Sequence, residues 1–438
     1  MTHDVVILGG GTGGYTAAIR ARQLGLRVAL IERDKIGGVC LHYGCIPTKA
    51  LLRSAEIVHL VRDAARFGVT PREIRLDFAQ AARRAADVVA QLYHGLQGLM
   101  RKHQVDVVTG TGCLQDARTV LVGDRALTAD HIILATGSHP RALPGLPFDG
   151  RRVLSSDHLL ASTHVPSTLA IVGAGAIGVE MATLYAAFGS EVTLLEREAN
   201  LVPQEDPEVS RELAKQFERR GIRVMTGAAV GELRDEWVLV ATGRAANVEG
   251  LGLVAAGVAL DGGSIRVDDA HRTTQPHIFA IGDCAPGPMM AHRASFEAVR
   301  VVEMIAGKRE AAPYDRAWIP RCTFSQPEIA SIGLTEPQAK ALGLATKSGR
   351  FFLQGSGKAL CDGTPEGFVK LITETASGRF VGAHLIGPHI NELISQVGLM
   401  HHFQGAVRDW EETIAPHPAI AEALKEAALD TEKRAIHR

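Results

Sequence analysis

The stretch VVILGGGTGGYTAAIRARQLGLRVALIERD, residues 5–34, decides the fold. An apolar run of strand length meets a glycine-rich turn, a segment with apolar residues at helical spacing follows, and a second apolar run ends in Glu32. Strand, turn, helix and strand make the βαβ unit that holds dinucleotides. Gly9, Gly11 and Gly14 spell G-x-G-x-x-G. The first allows a tight turn, the second lets backbone approach a diphosphate, and the third lets helix and strand pack closely. The helix start beyond them is a ready anion site. Glu32 stands where a carboxylate can accept from both ribose hydroxyls of an adenosine. A lone glycine fingerprint also suits a mere packing turn; flanking strands and Glu32 in register favour a dinucleotide site.

Further on, LAIVGAGAIGVEMATLYAAFGSEVTLLERE, residues 169–198, repeats that logic with Gly173, Gly175, Gly178 and Glu196. The repeat predicts an α/β fold with two Rossmann-like dinucleotide-binding domains. Glu196 would repel a 2′-phosphate and so favours NAD over NADP, while Arg197 beside it pulls the other way. Each unit also closes on a strand running into Ala-Thr-Gly, in ADHIILATGSHP (129–140) and VLVATGRAAN (238–247). Their turn glycines, Gly137 and Gly243, are expected to contact cofactor. Residues 51–105 read as helical with a turn at 68–71, and Pro140, Pro144 and Pro147 mark a connection between domains. Beyond Ala317, alternating segments at 322–324, 329–332, 367–372 and 380–386 predict an antiparallel sheet. Helices at 391–403 and 419–428 then complete a separate α+β domain. The expected domains are 1–147, 148–268, a return to the first at 269–313, and a C-terminal 314–438.

Composition fits this division. A chain of 438 residues exceeds what one core can bury. With 46 glycines and 5% aromatic residues it suits a fold whose turns bring backbone to ligands. A net charge of −1 gives no general attraction to nucleic acid or an anionic membrane, and neither is expected as a partner. The most apolar stretch, 169–179, is cut by glycines and stops at Glu180, too short to cross a bilayer. Met1-Thr2-His3-Asp4 runs directly into the first strand, leaving no room for a signal peptide, so a cytoplasmic location is expected.

The six cysteines do not form a secreted disulfide framework. Cys113, Cys284, Cys322 and Cys361 read as small buried or half-buried side chains. Cys40 and Cys45, in GGVCLHYGCIPTKA at 37–50, differ. A structural disulfide closing so small a loop would add little stability. A metal pair lacks a second Cys or His couple at zinc-like spacing, and no metal is expected. Thiol–disulfide exchange is the better reading, since a thiolate at a helix N-terminus attacks or leaves readily. Among 18 histidines, His417 stands out: Pro416 and Pro418 fix its backbone, and Glu422 lies five residues on.

The segment GGVCLHYGCIPTKALLRSAEI resembles the redox-active segment of pyridine nucleotide-disulfide oxidoreductases. The resemblance runs on through IILATGS, IVGAGAIGVE, IFAIGDC, MMAHRASFEAV, CTFSQPEIASIGLTE, GKALCDGTPEGFVKLI, GAHLIGPHINELISQVGLM and APHPAIAEALKEA, in order over nearly the whole chain. It is strongest to members that oxidise dihydrolipoamide with FAD and NAD. It implies a redox disulfide between Cys40, the interchange thiol, and Cys45, the thiol facing flavin. It implies Lys49 beside the flavin and paired with Glu180, and Asp283 on the ribityl–phosphate region. It implies a homodimer with a C-terminal dimerisation domain, in which His417 and Glu422 serve as base for the other subunit's site. The expected partner is a lipoyl domain of a 2-oxoacid dehydrogenase complex. A reductase of another small disulfide, or a flavoprotein with a binding role, are the alternatives.

Three departures stand out. Val39 replaces the usual threonine before the first cysteine. Ala176 stands where relatives often carry a larger residue over the nicotinamide pocket. Relatives also place a three-stranded meander between the strands at 222–225 and 238–241, where only residues 226–237 intervene, too few for three strands of ~5–6 residues plus turns. The second dinucleotide domain is therefore expected to lack most of its meander.

Overall fold

In the computed structural model residues 3–437 are described; Met1 and Thr2, the expected lead into the first strand, lie outside them. The first unit is built on parallel strands in the order Asp106–Thr109, Val28–Glu32, His3–Leu8, Arg125–Leu134 and Ile278–Ala280. The buried runs at Val5–Leu8 and Val28–Ile31 reflect a sheet covered on both faces, which demands continuous apolar residues. The early half of Arg125–Leu134 also pairs antiparallel with Thr119–Val122, which pairs with Gly112–Leu114. That meander was not legible in the sequence.

The second sheet is all parallel, in the order Arg223–Met225, Glu191–Leu195, Thr168–Val172, Trp237–Val240 and Val153–Leu154. As expected, among the described residues no strand lies between Met225 and Trp237. One sheet face there carries Ala170, Val172, Leu195 and Val238, and all four are buried. Leu143 and Leu146 from the proline-marked connection, with Leu233 from the short link, cover it.

A third, five-stranded antiparallel sheet runs Arg321–Thr323, Glu328–Gly333, Phe380–Gly387, Phe368–Glu374 and Thr346–Phe352. The edge strand Thr346–Phe352 was not anticipated, because Lys347, Gly349 and Arg350 break its alternation. The helix expected over 391–403 is a 3₁₀ turn, Ile390–Glu392, followed by the helix Ile394–His402. Cys284 is fully buried, but Cys361 is exposed, unlike the half-buried side chain expected.

The second and third sheets share a core with two helices, one of them from the first unit. Cys45–Arg62 presents Ala50, Leu51, Leu52 and Ala55 to the same core as Val179, Met181 and Ala182 of Ala176–Ala187. Ile329, Phe368 and Ile386 of the antiparallel sheet join that core. Ala176–Ala187 is buried nearly all round, which its many small and apolar residues permit. Glu180 therefore sits in the interior at the junction of all three parts.

Candidate active site

Both glycine turns are held by the same backbone logic. Gly9 has φ +101°, and a Cβ there would lie 2.2 Å from Ala135 O; a Cβ on Gly14 would lie 1.7 Å from Gly9 O. Gly173 (φ +102°) and Gly178 repeat this against Ala241 O and Gly173 O. The middle glycines behave differently. A Cβ on Gly11 would find its nearest neighbour at 3.9 Å, and one on Gly175 would find nothing within 4 Å. No packing demand explains those two, whereas close approach of a diphosphate does. Each sits just before a helix of 12 residues, where backbone N–H groups await an acceptor.

The carboxylates at the strand ends brace these turns. Gly10 N donates to Glu32 Oε2 at 2.6 Å and Asp34 N to Oε1 at 2.8 Å. Ala174 N donates to Glu196 Oε2 at 2.8 Å and Glu198 N to Oε1 at 3.0 Å. Each oxygen keeps lone-pair capacity for a ribose hydroxyl. Above the second turn lies a cavity of about 1270 Å³ reached by Gly173, Gly175, Ala176, Glu196 and Gly243. A smaller one of about 400 Å³ opens beside Glu32, between Tyr93 and Arg101. The residues present thus fit one dinucleotide at each turn.

The two Ala-Thr-Gly turns, noted separately in the sequence, come together. Ser138–Pro140 and Arg244–Ala246 form an antiparallel ribbon that spans the two units. Arg244 Nε donates to Ser138 Oγ at 2.7 Å, and Ser138 Oγ donates to Asp283 Oδ2 at 2.6 Å. Asp283 is thus tied through Ser138, the residue after Gly137, to Arg244 of the second unit, and Gly243 borders the large cavity. Ser138 and Arg244 were missed by sequence reading, although each directly follows an ATG glycine.

Cys45 opens the helix Cys45–Arg62, and Cys40 lies in the short helix Gly38–Tyr43. Both carry free thiols, and they are hydrogen-bonded to each other. The bond from Cys40 lowers the Cys45 thiol to about 7 against the opposing effect of burial, with help from the Lys49 charge. The same bond, together with burial, raises the Cys40 thiol. The two thiols thus titrate as an unequal pair, pulled down at Cys45 and up at Cys40. Tyr15, another residue missed in the sequence, has its hydroxyl raised by burial and by both cysteines.

Lys49 Nζ donates to Glu180 Oε1 and Oε2 at 2.9 and 3.0 Å, bringing together two residues 131 positions apart. Phe324 N donates to Glu180 Oε1 at 2.9 Å, and Lys49 Nζ stands 4.7 Å over the Phe324 ring. His417 lies elsewhere. Its Nδ1 is 3.0 Å from Glu422 Oε1, its side chain is 79% exposed, and within one chain it makes no hydrogen bond to the cysteines. Ala419 N donates to Glu422 Oε2 at 2.9 Å. Burial pushes the Glu422 carboxyl up, but that N–H and His417 outweigh it and hold the group below its ordinary value.

Comparison with known proteins gives the family. Residues 3–298 match the family described as pyridine nucleotide-disulphide oxidoreductase, and residues 319–428 match its dimerisation domain. The dihydrolipoyl dehydrogenase of Bacillus subtilis (strain 168) is 42% identical over 470 aligned residues, covering 99% of each chain. That of Zymomonas mobilis is 40% identical, again over 99% of each. Among solved structures, LpdA from Mycobacterium tuberculosis superposes with a TM-score of 0.90 at 26% identity, covering 97% of this chain and 98% of that one. The HOCl-induced flavoprotein disulfide reductase RclA from Escherichia coli gives 0.87 at 26%, covering 97% and 99%.

Proposed function

The chain belongs to the pyridine nucleotide-disulphide oxidoreductase family, and we propose that it oxidises dihydrolipoamide to lipoamide while reducing NAD+ to NADH, with FAD as resident cofactor. One observation carries the reading. Cys45 opens, just after the short helix that carries Cys40, the helix whose Lys49 is tied to Glu180 of the second dinucleotide unit. When bound, FAD supplies the two-electron chemistry that connects the thiols to NAD. Gly9, Gly11, Gly14, Glu32, Gly137 and Asp283, with Lys49, would hold it; Gly173, Gly175, Gly178, Glu196 and Gly243 would hold NAD.

The chain's own residues perform the thiol chemistry. In the oxidised state Cys40 and Cys45 are joined. His417 Nε2 takes the proton from one substrate thiol, while Glu422 at Nδ1 fixes the tautomer and favours the imidazolium. The substrate thiolate attacks Cys40 Sγ, and Cys45 leaves as a thiolate. With a thiol near 7 it is the better leaving group. The second substrate thiol then displaces Cys40, closing the lipoyl disulfide and leaving its proton on Cys40. The step leaves a Cys40 thiol beside a Cys45 thiolate, in keeping with the opposite shifts of the two groups.

The dimerisation domain supports a homodimer, and the exposed His417–Glu422 pair is suited to complete the partner's site. In this reading the protein works in the cytoplasm as the E3 component of a 2-oxoacid dehydrogenase complex, drawing substrate from a lipoyl domain. Purified protein should carry flavin absorbance, and Cys45→Ser should abolish NAD-linked dihydrolipoamide oxidation. Robust oxidation by the serine variant would refute the scheme. NADH-driven reduction of glutathione disulfide outpacing dihydrolipoamide oxidation would favour a reductase of other small disulfides.

A further inference from the structure

We propose that Arg321, held by Glu205, is a dinucleotide-binding residue that reaches across from the antiparallel sheet to contact the diphosphate of NAD. The inference rests on the reading that the second glycine turn holds NAD. The cavity over that turn has two walls. Gly173, Gly175 and Ala176 form one, and Arg321 with Cys322, on the edge strand Arg321–Thr323, forms part of the other.

Arg321 Nε donates to Glu205 Oε1 at 3.0 Å, and the two side chains are 21% and 6% exposed. The bond uses one of five guanidinium donors. Among the described residues neither Nη1 nor Nη2 has a protein partner, and Glu205 Oε2 is buried without one. A guanidinium one-fifth exposed at the side of a cavity, with spare donors beyond its bond to Glu205, can take an anion without giving that bond up. The anion that a dinucleotide brings to a glycine turn is its diphosphate, which a guanidinium engages through two parallel N–H bonds.

A strap that only joins the second unit to the antiparallel sheet would look different, and one exists nearby. Lys370 Nζ donates to Asp206 Oδ2 at 2.9 Å and Glu208 Oε1 at 2.8 Å, and Arg350 Nε donates to Glu208 Oε2 at 2.7 Å. Lys370 is 1% exposed and lines neither cavity. That cluster is closed on itself; the Arg321–Glu205 pair borders the cavity. The small Ala176 and the bare Gly175 offer little side-chain grip from the opposite wall, which gives Arg321 a larger share of the contact.

The test measures binding of NAD+, ADP-ribose and adenosine to the flavin-loaded full chain by calorimetry. Arg321→Ala should weaken NAD+ and ADP-ribose about tenfold or more, as loss of charge-assisted bonds predicts. Adenosine binding, flavin absorbance and melting temperature should hold. Arg321→Lys should fall between, having charge without the fork. If the alanine variant is unstable because Glu205 is stranded, the double variant Arg321→Ala with Glu205→Ala removes both partners and should still bind ADP-ribose weakly. Wild-type ADP-ribose affinity in the double variant, or equal losses for adenosine and ADP-ribose, would overturn the proposal. Failure of the unaltered protein to bind NAD+ or ADP-ribose would instead remove the NAD reading, and this one with it.

Discussion

Replacing Lys49 by methionine should raise the Cys45 thiol, and replacing Glu180 by glutamine should lower it. Cys45 and Lys49 lie four residues apart on one helix, so their side chains share a face about 6 Å apart. At an effective dielectric near 20 a unit charge at that distance is worth about 2.8 kcal/mol, or about 2 pH units. Lys49 is one-third exposed, so solvent screening cuts this to about 1 unit. The midpoint should therefore move from about 7 to about 8. Glu180 acts in the opposite sense, since its charge raises the Cys45 thiol. Glu180→Gln removes that charge and frees Lys49, and both changes favour the thiolate. The assay is the pH dependence of iodoacetamide alkylation in the reduced holoenzyme, with the modified cysteine identified by peptide mass. Lys49→Met strands a buried carboxylate that keeps only the Phe324 N–H, at a cost of about 1–3 kcal/mol, so melting curves must accompany it. Lys49→Arg should restore the low midpoint. Shifts of the same sign in the two variants, or a midpoint unmoved in Lys49→Met, would refute the electrostatic argument.

Three further outcomes follow from the geometry. Gly175→Ala meets no protein atom within 4 Å, so it should fold and keep flavin yet lose at least tenfold in NAD+ affinity; Gly14→Ala, with a Cβ 1.7 Å from Gly9 O, should lose flavin itself, as the visible spectrum will show. His417→Ala should lower kcat by about 10²–10⁴ without altering the melting temperature, because the side chain is 79% exposed. Mixing His417→Ala with Cys45→Ser subunits should restore activity in hybrid dimers, and inactive hybrids would place the base in the same chain. Burial raises the Glu208 carboxyl, but bonds from Arg350 and Lys370 outweigh it and hold the group down to about 2. Its stabilisation, on the order of 2 kcal/mol, should be complete above the unfolded value near 4.5 and be lost as pH falls toward 2. Glu208→Gln should flatten that acid limb in denaturant titrations.

The legible parts of the chain are those where one residue type answers one local demand. Positive φ and close backbone approach require glycine at positions 9, 14, 173 and 178, and the sequence supplies it in register with Glu32 and Glu196. The cysteine pair was readable for the same reason. Its asymmetry was not, because the lowering of the Cys45 thiol depends on Cys40 and on Lys49 as the helix orients them. Contacts between distant segments left the weakest signals. Ser138–Asp283 and Arg321–Glu205 join residues 145 and 116 positions apart, and nothing in either neighbourhood points to the other. The edge strand Thr346–Phe352 was hidden because one face carries Lys347, Gly349 and Phe351, a mixture without alternation. Its order comes instead from seven registered pairs with Phe368–Glu374.

The trimmed second unit shows how such distant contacts stand in for a lost element. With no strand between Met225 and Trp237, one apolar sheet face needs another cover, and left open it would be destabilising. Here Val172 and Val238 remain buried because the prolines at 140, 144 and 147 steer Leu143 and Leu146 over them, while Leu233 closes the gap from the short link. The unit's other edge is anchored by the Lys370 cluster, where Asp206 caps the helix Pro207–Arg219 and meets a buried ammonium at once. Breaking one partner of such a group strands the rest, so the cluster resists displacement of the unit from the antiparallel sheet. That constraint bears on function. The cavity has one wall on each body, and Ala228, Ala229 and Val230 of the short link line it too. A unit held only by its connections would let those walls drift apart, whereas a fixed spacing keeps the strand Arg321–Thr323 and the glycine turn on one cavity.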